Sequence, residues 1–484
     1  KTDFGMRGKL PTEEVKMMEF WNNIELWKKL REQSKDKKKF ILHDGPPYAN
    51  GPIHIGTAAN KILKDIINRT MQFEGYNSLY VPGWDCHGLP IEWQIEKQYR
   101  KKGKKKEDID IKDFRNECRE FAQKWIEEQK KSFIRLFVLA DWNKPYTTMA
   151  YESEAIILKE FSKFFLNGSL YQGSKPVMWS PIEKTALAEA EIEYHDIDST
   201  SIYVAFKVKN SSNKLLENTS VVIWTTTPWT IPGNRAIAFG DSIDYCIFKV
   251  QESKNNLIKD NKYLVAKSLL EEVCDRCNIS KFELIKEIKG EELGNTICHH
   301  PFSKIGFDYD VPLLKAEFVE DSEGTGFVHI APCYGEDDYY LALDNNIVIK
   351  DIVKDDGCYR DNTPVFSGIH VFKAHLSVIE KLEKQNKLLG SREYRHSYPH
   401  SWRSKKPIIY RTTPQWFISM KSNNLKDKAM QGIEDTTWIP KSSKNRIQSM
   451  VENRPDWCVS RQRSWGVPLT IFINKNTGEP LKDE

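Results

Sequence analysis

The stretch Lys38–Arg69, KKFILHDGPPYANGPIHIGTAANKILKDIINR, decides how the rest of the chain reads. Phe40, Ile41 and Leu42 form an apolar run of strand length, and Gly-Pro-Pro and Asn-Gly-Pro turns follow it. From His54 onward, Ile55, Ala58, Ala59, Ile62, Leu63, Ile66 and Ile67 recur at helical spacing. The predicted order is strand, turn-rich loop, helix, with Asn77–Pro82 as the next strand. That order puts His-Ile-Gly at a helix N-terminus, where free amides and the helix dipole attract a phosphate. Gly56 leaves room for a ligand against the backbone, and His54 and Thr57 can donate hydrogen bonds to it. A plain helix start with an incidental histidine fits the spacing equally well.

At 484 residues the chain exceeds one compact core, which predicts two to four domains. It has no apolar run of the roughly 18 to 20 residues that would span a bilayer. It opens on Lys1 rather than Met and without an apolar signal region, which leaves room for missing upstream residues or a removed targeting piece. Lys plus Arg is 72 against 68 for Asp plus Glu, and this net +4 permits a nucleic-acid partner without demanding one. The 14 Trp, 19 Tyr and 23 Phe predict filled cores rather than disorder. Nine Cys without paired spacing fit a reducing compartment. Cys274 and Cys277, with Cys298, His299 and His300 downstream, have the ligand types of a zinc site. Against zinc, Leu269, Leu270 and Val273 predict a helix whose cysteines simply pack.

Residues 1–37 read as one or two amphipathic leading helices. GWDCHGLPIE, Gly83–Glu92, comes directly after the second predicted strand, so Asp85 arrives beyond its carboxyl end, where open α/β sheets bind ligands. A carboxylate there can pair with an ammonium group, or it can cap the following helix. His87 and Cys86 read as packing or loop residues. The charge run over 99–113 reads as a solvated face or loop, with tRNA contact as the minority reading, and Phe114, Cys118, Phe121, Ala122, Trp125 and Ile126 predict a helix to about residue 139. A further helix is predicted over 151–170.

From about Asp196 the runs SIYVAFKV, SVVIWTTT, YCIFKV and FVHIAP predict strands, and a β-rich block inside an α/β protein reads as an inserted domain. The predicted boundaries are 1–196, 197–385 and 386–484. Thr225, Thr226, Thr227 and Thr230, with His329, Asp337 and Asp338 further on, can position a water and a ribose for ester hydrolysis. A Thr-rich strand end is also ordinary β surface. Gly324-Thr325-Gly326 starts like a dinucleotide fingerprint but has His329 where a third Gly is needed.

PPYANGPIHIGT followed by NKILKD resembles the nucleotide-binding signature of class I aminoacyl-tRNA synthetases, and GWDCHGLPIE is similar to the form found in their isoleucyl branch. The resemblance implies an α/β fold, a Rossmann-like catalytic domain, incomplete here, with an inserted β-rich editing domain. It implies ATP-dependent activation of L-isoleucine with Mg2+, transfer to tRNA(Ile), and hydrolytic editing of mischarged valine. By the same resemblance His54, Gly56 and Thr57 are catalytic, and Pro47, Tyr48, Asn50 and Gly51 join them around ATP. Gly45, Pro46, Asp85 and Trp465 would hold isoleucine, with Asp85 receiving its amino group. Thr225, Thr226, Thr227, Thr230, Asn234 and His329 would line the editing pocket, and Asp338 would grip the amino group of the misacylated ester.

Four departures from the family pattern are visible. Thr57 replaces the family's second His, keeping a donor but no charge, which bears on turnover more than on binding. Cys333-Tyr334 stands at the pocket rim where the family often has Gly-His. Trp179-Ser180 and Ser401-Trp402 stand where some relatives pair cysteines on zinc, so no zinc is expected. KSSKN at 441–445 looks like the family's lysine loop but precedes RPDWCVSRQR, so it reads as a surface loop near tRNA.

The family's lysine loop and anticodon-binding domain fall outside the sequence, so the chain as it stands is expected not to activate amino acids. The alternative is a stand-alone editing hydrolase acting on Val-tRNA. A monomer in the cytoplasm or an organellar matrix is expected. The insert has a physical motive: one methylene gives only about 1–3 kcal/mol of discrimination, a general figure for which isoleucyl-tRNA synthetase is itself the standard case.

Overall fold

The computed structural model describes residues 8–483 and divides into two compact units, 1–169 with 463–484, and 170–462. The first unit holds α1 (Leu10–Asn23), α2 (Leu26–Ser34), α3 (Ile55–Phe73), β1 (Gly83–Trp84), α4 (Leu89–Lys101), α5 (Ile111–Arg135), β2 (Tyr146–Thr147) and α6 (Tyr151–Leu166). Two leading helices are therefore present, and the part of their predicted range before residue 8 lies outside the described residues.

Parallel pairing in this unit is sparse but ordered. Single parallel bridges join Lys39 to Asn77 and Tyr48 to Asp85, and β1 pairs with β2 in parallel. Three extended segments thus run side by side, with α3 crossing between the first two and α4 and α5 between the last two, which is the βαβ order. The strands predicted at 40–42 and 77–82 do not form as regular strands: Ile41, Leu79 and Val81 are exposed and the ladder stops at single bridges. Pro46, Pro47, Pro52 and Pro82 supply no N–H, so the ladder cannot propagate through them.

Helix α3 is turned opposite to the expectation from its spacing. Lys61, Asp65 and Asn68 are buried, while Ile55, Ile62, Leu63, Ile66 and Ile67 are exposed. Each buried polar side chain has a specific partner. Lys61 and Lys64 both reach the Asp44 carboxylate, and the Tyr80 hydroxyl donates to it at 2.7 Å. Asp65 takes Arg69 Nε at 2.6 Å and the Leu139 amide at 2.8 Å, and the Ser78 hydroxyl donates to Asn68 at 2.9 Å. By contrast α5 follows its pattern, burying Phe114, Cys118, Ala122, Ile126 and Phe133 around Trp84 and Ile91.

The second unit contains β3 (Leu170–Ser180), β4 (Thr185–Ala186), β5 (Ile192–Asn210), β6 (Thr219–Thr225), β7 (Ala236–Phe239), β8 (Asp244–Ser253), β9 (Lys262–Ala266), α7 (Leu270–Arg276), β10 (Ile279–Lys289), β11 (Ile297–His299), β12 (Asp310–Lys315) and β13 (Phe327–Ile330). It continues with α8 (Glu336–Asp344), α9 (Val371–Lys384), β14 (Leu388–Ser401), β15 (Ile409–Ile418), α10 (Leu425–Glu434), α11 (Ser443–Glu452) and β16 (Trp457–Cys458). One sheet runs β10-β8-β9-β6-β5-β11-β12-β7-β13 with β14 added on β5, and a four-stranded sheet runs β16-β15-β3-β4. The four strand runs predicted from sequence fall in β5, β6, β8 and β13.

The β5–β14 ladder extends from Val204↔Leu388 out to Ile192↔Ser401, and β3 pairs with β15 beyond it. These ribbons join residues far apart in the chain, so the compact unit covers 170–462, wider than the predicted 197–385. KSSKN departs from the expected loop: Ser443 begins α11, and Lys444 pairs with Glu434 at 2.7 Å. Cys274 and Cys277 pack in the core at the end of α7, where burial pushes the Cys274 thiol up to about 12, away from the thiolate that zinc requires. His300 is committed too, with Nε2 on the Ile231 carbonyl and Nδ1 accepting the Phe302 amide. Among the described residues no helix is long and apolar enough to cross a membrane.

If α3 is held by its polar side, Lys61→Met will destabilise the first unit by about 3 kcal/mol, because it leaves a buried carboxylate short of a partner. Ile66→Ser on the exposed stripe will cost under about 0.5 kcal/mol. Denaturant unfolding measures both, and the reverse order would mean that the apolar side carries the packing.

Candidate functional site

The loop 44–54 and the start of α3 enclose a cavity of about 360 Å³ lined by Gly45, Pro47, Tyr48, Asn50, His54, Gly56 and Thr57. Pro52, Ile53, Asn60, Lys61 and Gln129 complete the wall. Gln129 Nε2 donates to the carbonyls of Tyr48 at 2.8 Å and Gly51 at 2.7 Å, while its Oε1 accepts from the Trp84 indole at 3.0 Å. Gly51 therefore shapes the loop from behind rather than facing the cavity. Gln129 was passed over in the sequence, yet a signal existed: it continues the buried stripe of α5 as a polar residue.

His54 caps the helix it precedes. Its Nδ1 accepts the amides of Gly56 at 3.1 Å and Thr57 at 3.3 Å. Two of the amides expected to be free for a phosphate are thus satisfied locally, and the imidazole presents Nε2–H as its donor. Gly56 lets the ring sit close, since a Cβ there would meet the imidazole Cε1 at 3.0 Å and the ring would have to shift. Thr57 lines the cavity beside it.

Asp85 is fixed to the same loop. Its amide donates to the Pro47 carbonyl and its carbonyl accepts the Ala49 amide, both at 3.0 Å. Burial pushes its carboxyl up, and the His87 amide opposes this by donating to the charged form. The rest of GWDCHGLPIE wraps Trp465. The indole Nε1 donates to the Cys86 carbonyl at 2.6 Å, and the Gly88 amide donates to the Trp465 carbonyl at 3.1 Å. The His87 ring meets the indole edge-on at 5.0 Å, and the Arg119 guanidinium lies 5.4 Å from its centre. Glu154 ties these together, at 3.0 Å from His87 Nε2 and 3.5 Å from Arg119. Read from sequence as loop or packing residues, Cys86 and His87 in fact position Trp465. Glu154 and Arg119 carried no motif at all.

The second unit has a cavity of about 400 Å³ at the ends of β6 and β13. Thr225, Thr226, Thr227, Thr230, His329 and Asp338 all line it, and Asn234 stands behind His329. The threonines form a chain: Thr225 Oγ1 lies 3.1 Å from Thr227 Oγ1, and Thr230 Oγ1 donates to the Thr227 carbonyl at 2.8 Å. Asn234 Nδ2 donates to the Ala236 carbonyl at 2.9 Å and to His329 Nδ1 at 2.7 Å. The carbonyl fixes the amide orientation, so Nδ1 is an acceptor and the proton of His329 sits on Nε2, pointing at Thr230 Oγ1 3.0 Å away. Burial pulls this imidazole down to about 4, leaving it neutral and locked in one tautomer. It orients Thr230 rather than exchanging protons with a substrate.

Asp338 sits in the first turn of α8 and accepts the Ala331 amide at 2.7 Å. Burial pushes its carboxyl up to about 6. An ammonium group brought to it would restore the charged form. At Ser401 the hydroxyl donates to Glu183 at 2.9 Å, and Trp179 Nε1 donates to the Asp355 carbonyl at 2.8 Å. Among the described residues no group of three His, Cys, Asp or Glu can hold a metal ion, so the described side chains do not form a Mg2+ cage of their own.

The first unit thus carries a loop cavity with Asp85 tied to its loop, and the second a separate cavity lined by threonines, His329 and Asp338. The chain belongs to the class I tRNA synthetases (I, L, M and V), matching that family over residues 16–484. It is 54% identical to "Isoleucine--tRNA ligase" of Pelagibacter ubique (strain HTCC1062), over 100% of this chain and 53% of that protein. It is 48% identical to "Isoleucine--tRNA ligase" of Gluconobacter oxydans (strain 621H), over 100% of this chain and 52% of that protein. The chain spans about half the length of the curated relatives it matches. A solved structure, the ternary complex of Agrobacterium radiobacter K84 agnB2 LeuRS with tRNA and LeuAMS, is similar at TM-score 0.37 and 17% identity, over 97% of this chain and 51% of that one.

The two buried titratable groups of the second cavity oppose each other in pH. An unfolded His takes a proton below 6.5 and folded His329 only below about 4, so its stabilisation is present above 6.5 and lost as pH falls toward 4. Asp338 stabilises the fold below the ordinary carboxylate value of 3.8, and that contribution is lost as pH rises through about 6. Asp338→Asn will therefore expose a stability that climbs by about 2–3 kcal/mol between pH 4 and 6.5, and His329→Asn one that declines over nearly the same window. Denaturant midpoints across that range measure both slopes.

Proposed function

We propose that this chain serves isoleucine–tRNA ligation: activation of L-isoleucine with ATP, transfer of the acyl group to tRNA(Ile), and hydrolysis of valine mischarged to it. The observation that carries this reading is the joining of Asp85 to the phosphate-loop residues Pro47 and Ala49, while its neighbours Cys86 to Gly88 seat Trp465. An aliphatic amino acid needs an anion for its ammonium and a flat apolar wall for its side chain, and one short loop carries the first and seats the second. With the ammonium held by Asp85, the substrate carboxylate is free to attack the α-phosphorus of ATP as pyrophosphate leaves. His54 Nε2–H and Thr57 are the donors available to the phosphates, so the chemistry rests on positioning and charge stabilisation. Mg2+ would arrive on the phosphates. Partners of this reading are ATP, L-isoleucine and tRNA(Ile), which family membership and the relatives' names support, with a cytoplasmic monomer as its proposed working form.

In the second cavity, Asp338 would hold the ammonium of a valyl ester while the threonine hydroxyls orient the attacking water, and the ribose oxygen leaves. This cavity lies wholly within residues 170–462, which favours a second reading as a hydrolase of Val-tRNA alone. Isoleucine-dependent ATP–pyrophosphate exchange by the full-length protein separates the two: its presence supports ligation, its absence together with Val-tRNA deacylation supports the hydrolase.

Asp85→Asn will weaken binding of a non-hydrolysable sulfamoyl analogue of isoleucyl-adenylate at least about 30-fold by calorimetry, since a buried ion-pair partner is lost. Undiminished affinity would remove Asp85 from the amino-acid site. Deacylation of Val-tRNA(Ile) will rise as pH passes through about 6, where Asp338 ionises, and Asp338→Asn will flatten that inflection.

A further inference from the structure

Tyr334 borders the second cavity but has no part in the chemistry described above. Its ring is fixed on three sides. Trp229 meets it edge-on with centroids 5.0 Å apart. Gly233 packs so closely that a Cβ there would come within 2.7 Å of the ring carbon Cε2. The hydroxyl accepts the Ile352 amide at 3.3 Å and donates toward the Asp351 carboxylate at 3.4 Å. The residue keeps 9% exposure, and it lines the cavity.

The ring and the ammonium-binding carboxylate are held by one turn. The Tyr334 amide donates to the Ala331 carbonyl at 2.8 Å, and the Ala331 amide donates to Asp338 at 2.7 Å. An aminoacyl ester whose ammonium sits on Asp338 has its side chain in the same cavity that Tyr334 lines.

We propose that Tyr334 is a specificity-determining residue of the hydrolytic cavity: its immobile ring limits the acyl side chain, admitting valyl and refusing isoleucyl esters. This rests on the hydrolytic reading above and names the part of the cavity that makes it useful, since a site that also hydrolysed the isoleucyl ester would undo the ligation. Close-packed surroundings do not give way by a methylene without displacing their neighbours. Here the neighbours are a glycine backbone and a tryptophan whose own carbonyl is held by the Tyr359 hydroxyl. The family resemblance placed Cys333-Tyr334 only as a departure at the rim; the structure turns the tyrosine inward.

The test measures deacylation of Val-tRNA(Ile) and Ile-tRNA(Ile) by residues 1–484 and by Tyr334 variants, read as the isoleucyl-to-valyl rate ratio. The parent will hydrolyse the valyl ester at least about 10-fold faster, Tyr334→Ala will raise the ratio by about 10-fold or more, and Tyr334→Phe will leave it within about 2-fold. Retained valyl hydrolysis reports an intact cavity, and Tyr334→Leu replaces the alanine variant if that one loses its cooperative melting. An unchanged ratio in a folded alanine or leucine variant overturns the proposal and places the size limit elsewhere. No valyl hydrolysis by the parent overturns the hydrolytic reading, and the assignment of Tyr334 falls with it.

Discussion

The indole of Trp465 donates to the carbonyl of Cys86 across 379 residues of chain, and the site of the first unit depends on that bond. It gives the loop after β1 an object to fold around. Once Trp465 is seated, His87 and Gly88 have fixed positions, and so does Asp85 beside them. A buried indole N–H without an acceptor would cost about 1–3 kcal/mol, so the carbonyl of Cys86 is held as firmly as the ring. Burial pulls His87 toward its neutral form, with Glu154 opposing, so the edge offered to the indole is that of an imidazole rather than of a free cation.

Both cavities are built in the same physical manner. A residue that reads from its type as a reactive or binding group is first committed to the protein, and the group left over faces the cavity. His54 spends Nδ1 on the amides of α3 and keeps Nε2–H. His329 spends both ring nitrogens, on Asn234 and Thr230, and keeps none. Asp338 spends one oxygen on Ala331. Burial then sets the protonation state, pulling His329 down and pushing Asp338 up, so that the carboxylate needs an incoming cation to be comfortable.

Much of this was legible in the sequence where the signal is residue type in a turn-rich loop. The irregular loop from Gly45 to Thr57 was legible because its glycines and prolines cannot serve a strand, and a cavity lies there. The strands of the β-rich block were legible because their apolar runs are buried on both faces. Helix α3 was misjudged because spacing gives the existence of an apolar stripe but not its direction. Its orientation is set by Asp44, Tyr80 and the Leu139 amide, distant partners that satisfy Lys61 and Asp65. Gln129, Glu154 and Arg119 were missed for a related reason: each acts through a neighbour brought close only by folding.

The sequence by itself determined the family, the residue types at both cavities and the presence of a β-rich insert, because these follow from local composition and from motifs whose members lie within a dozen residues. The tertiary structure alone decided which face of α3 is buried, which groups engage the two nitrogens of His329, and where Tyr334 points. Those outcomes depend on buried hydrogen-bond partners supplied from elsewhere in each unit. A buried polar group must find its partner wherever the fold places one, and no spacing rule along the chain records that choice.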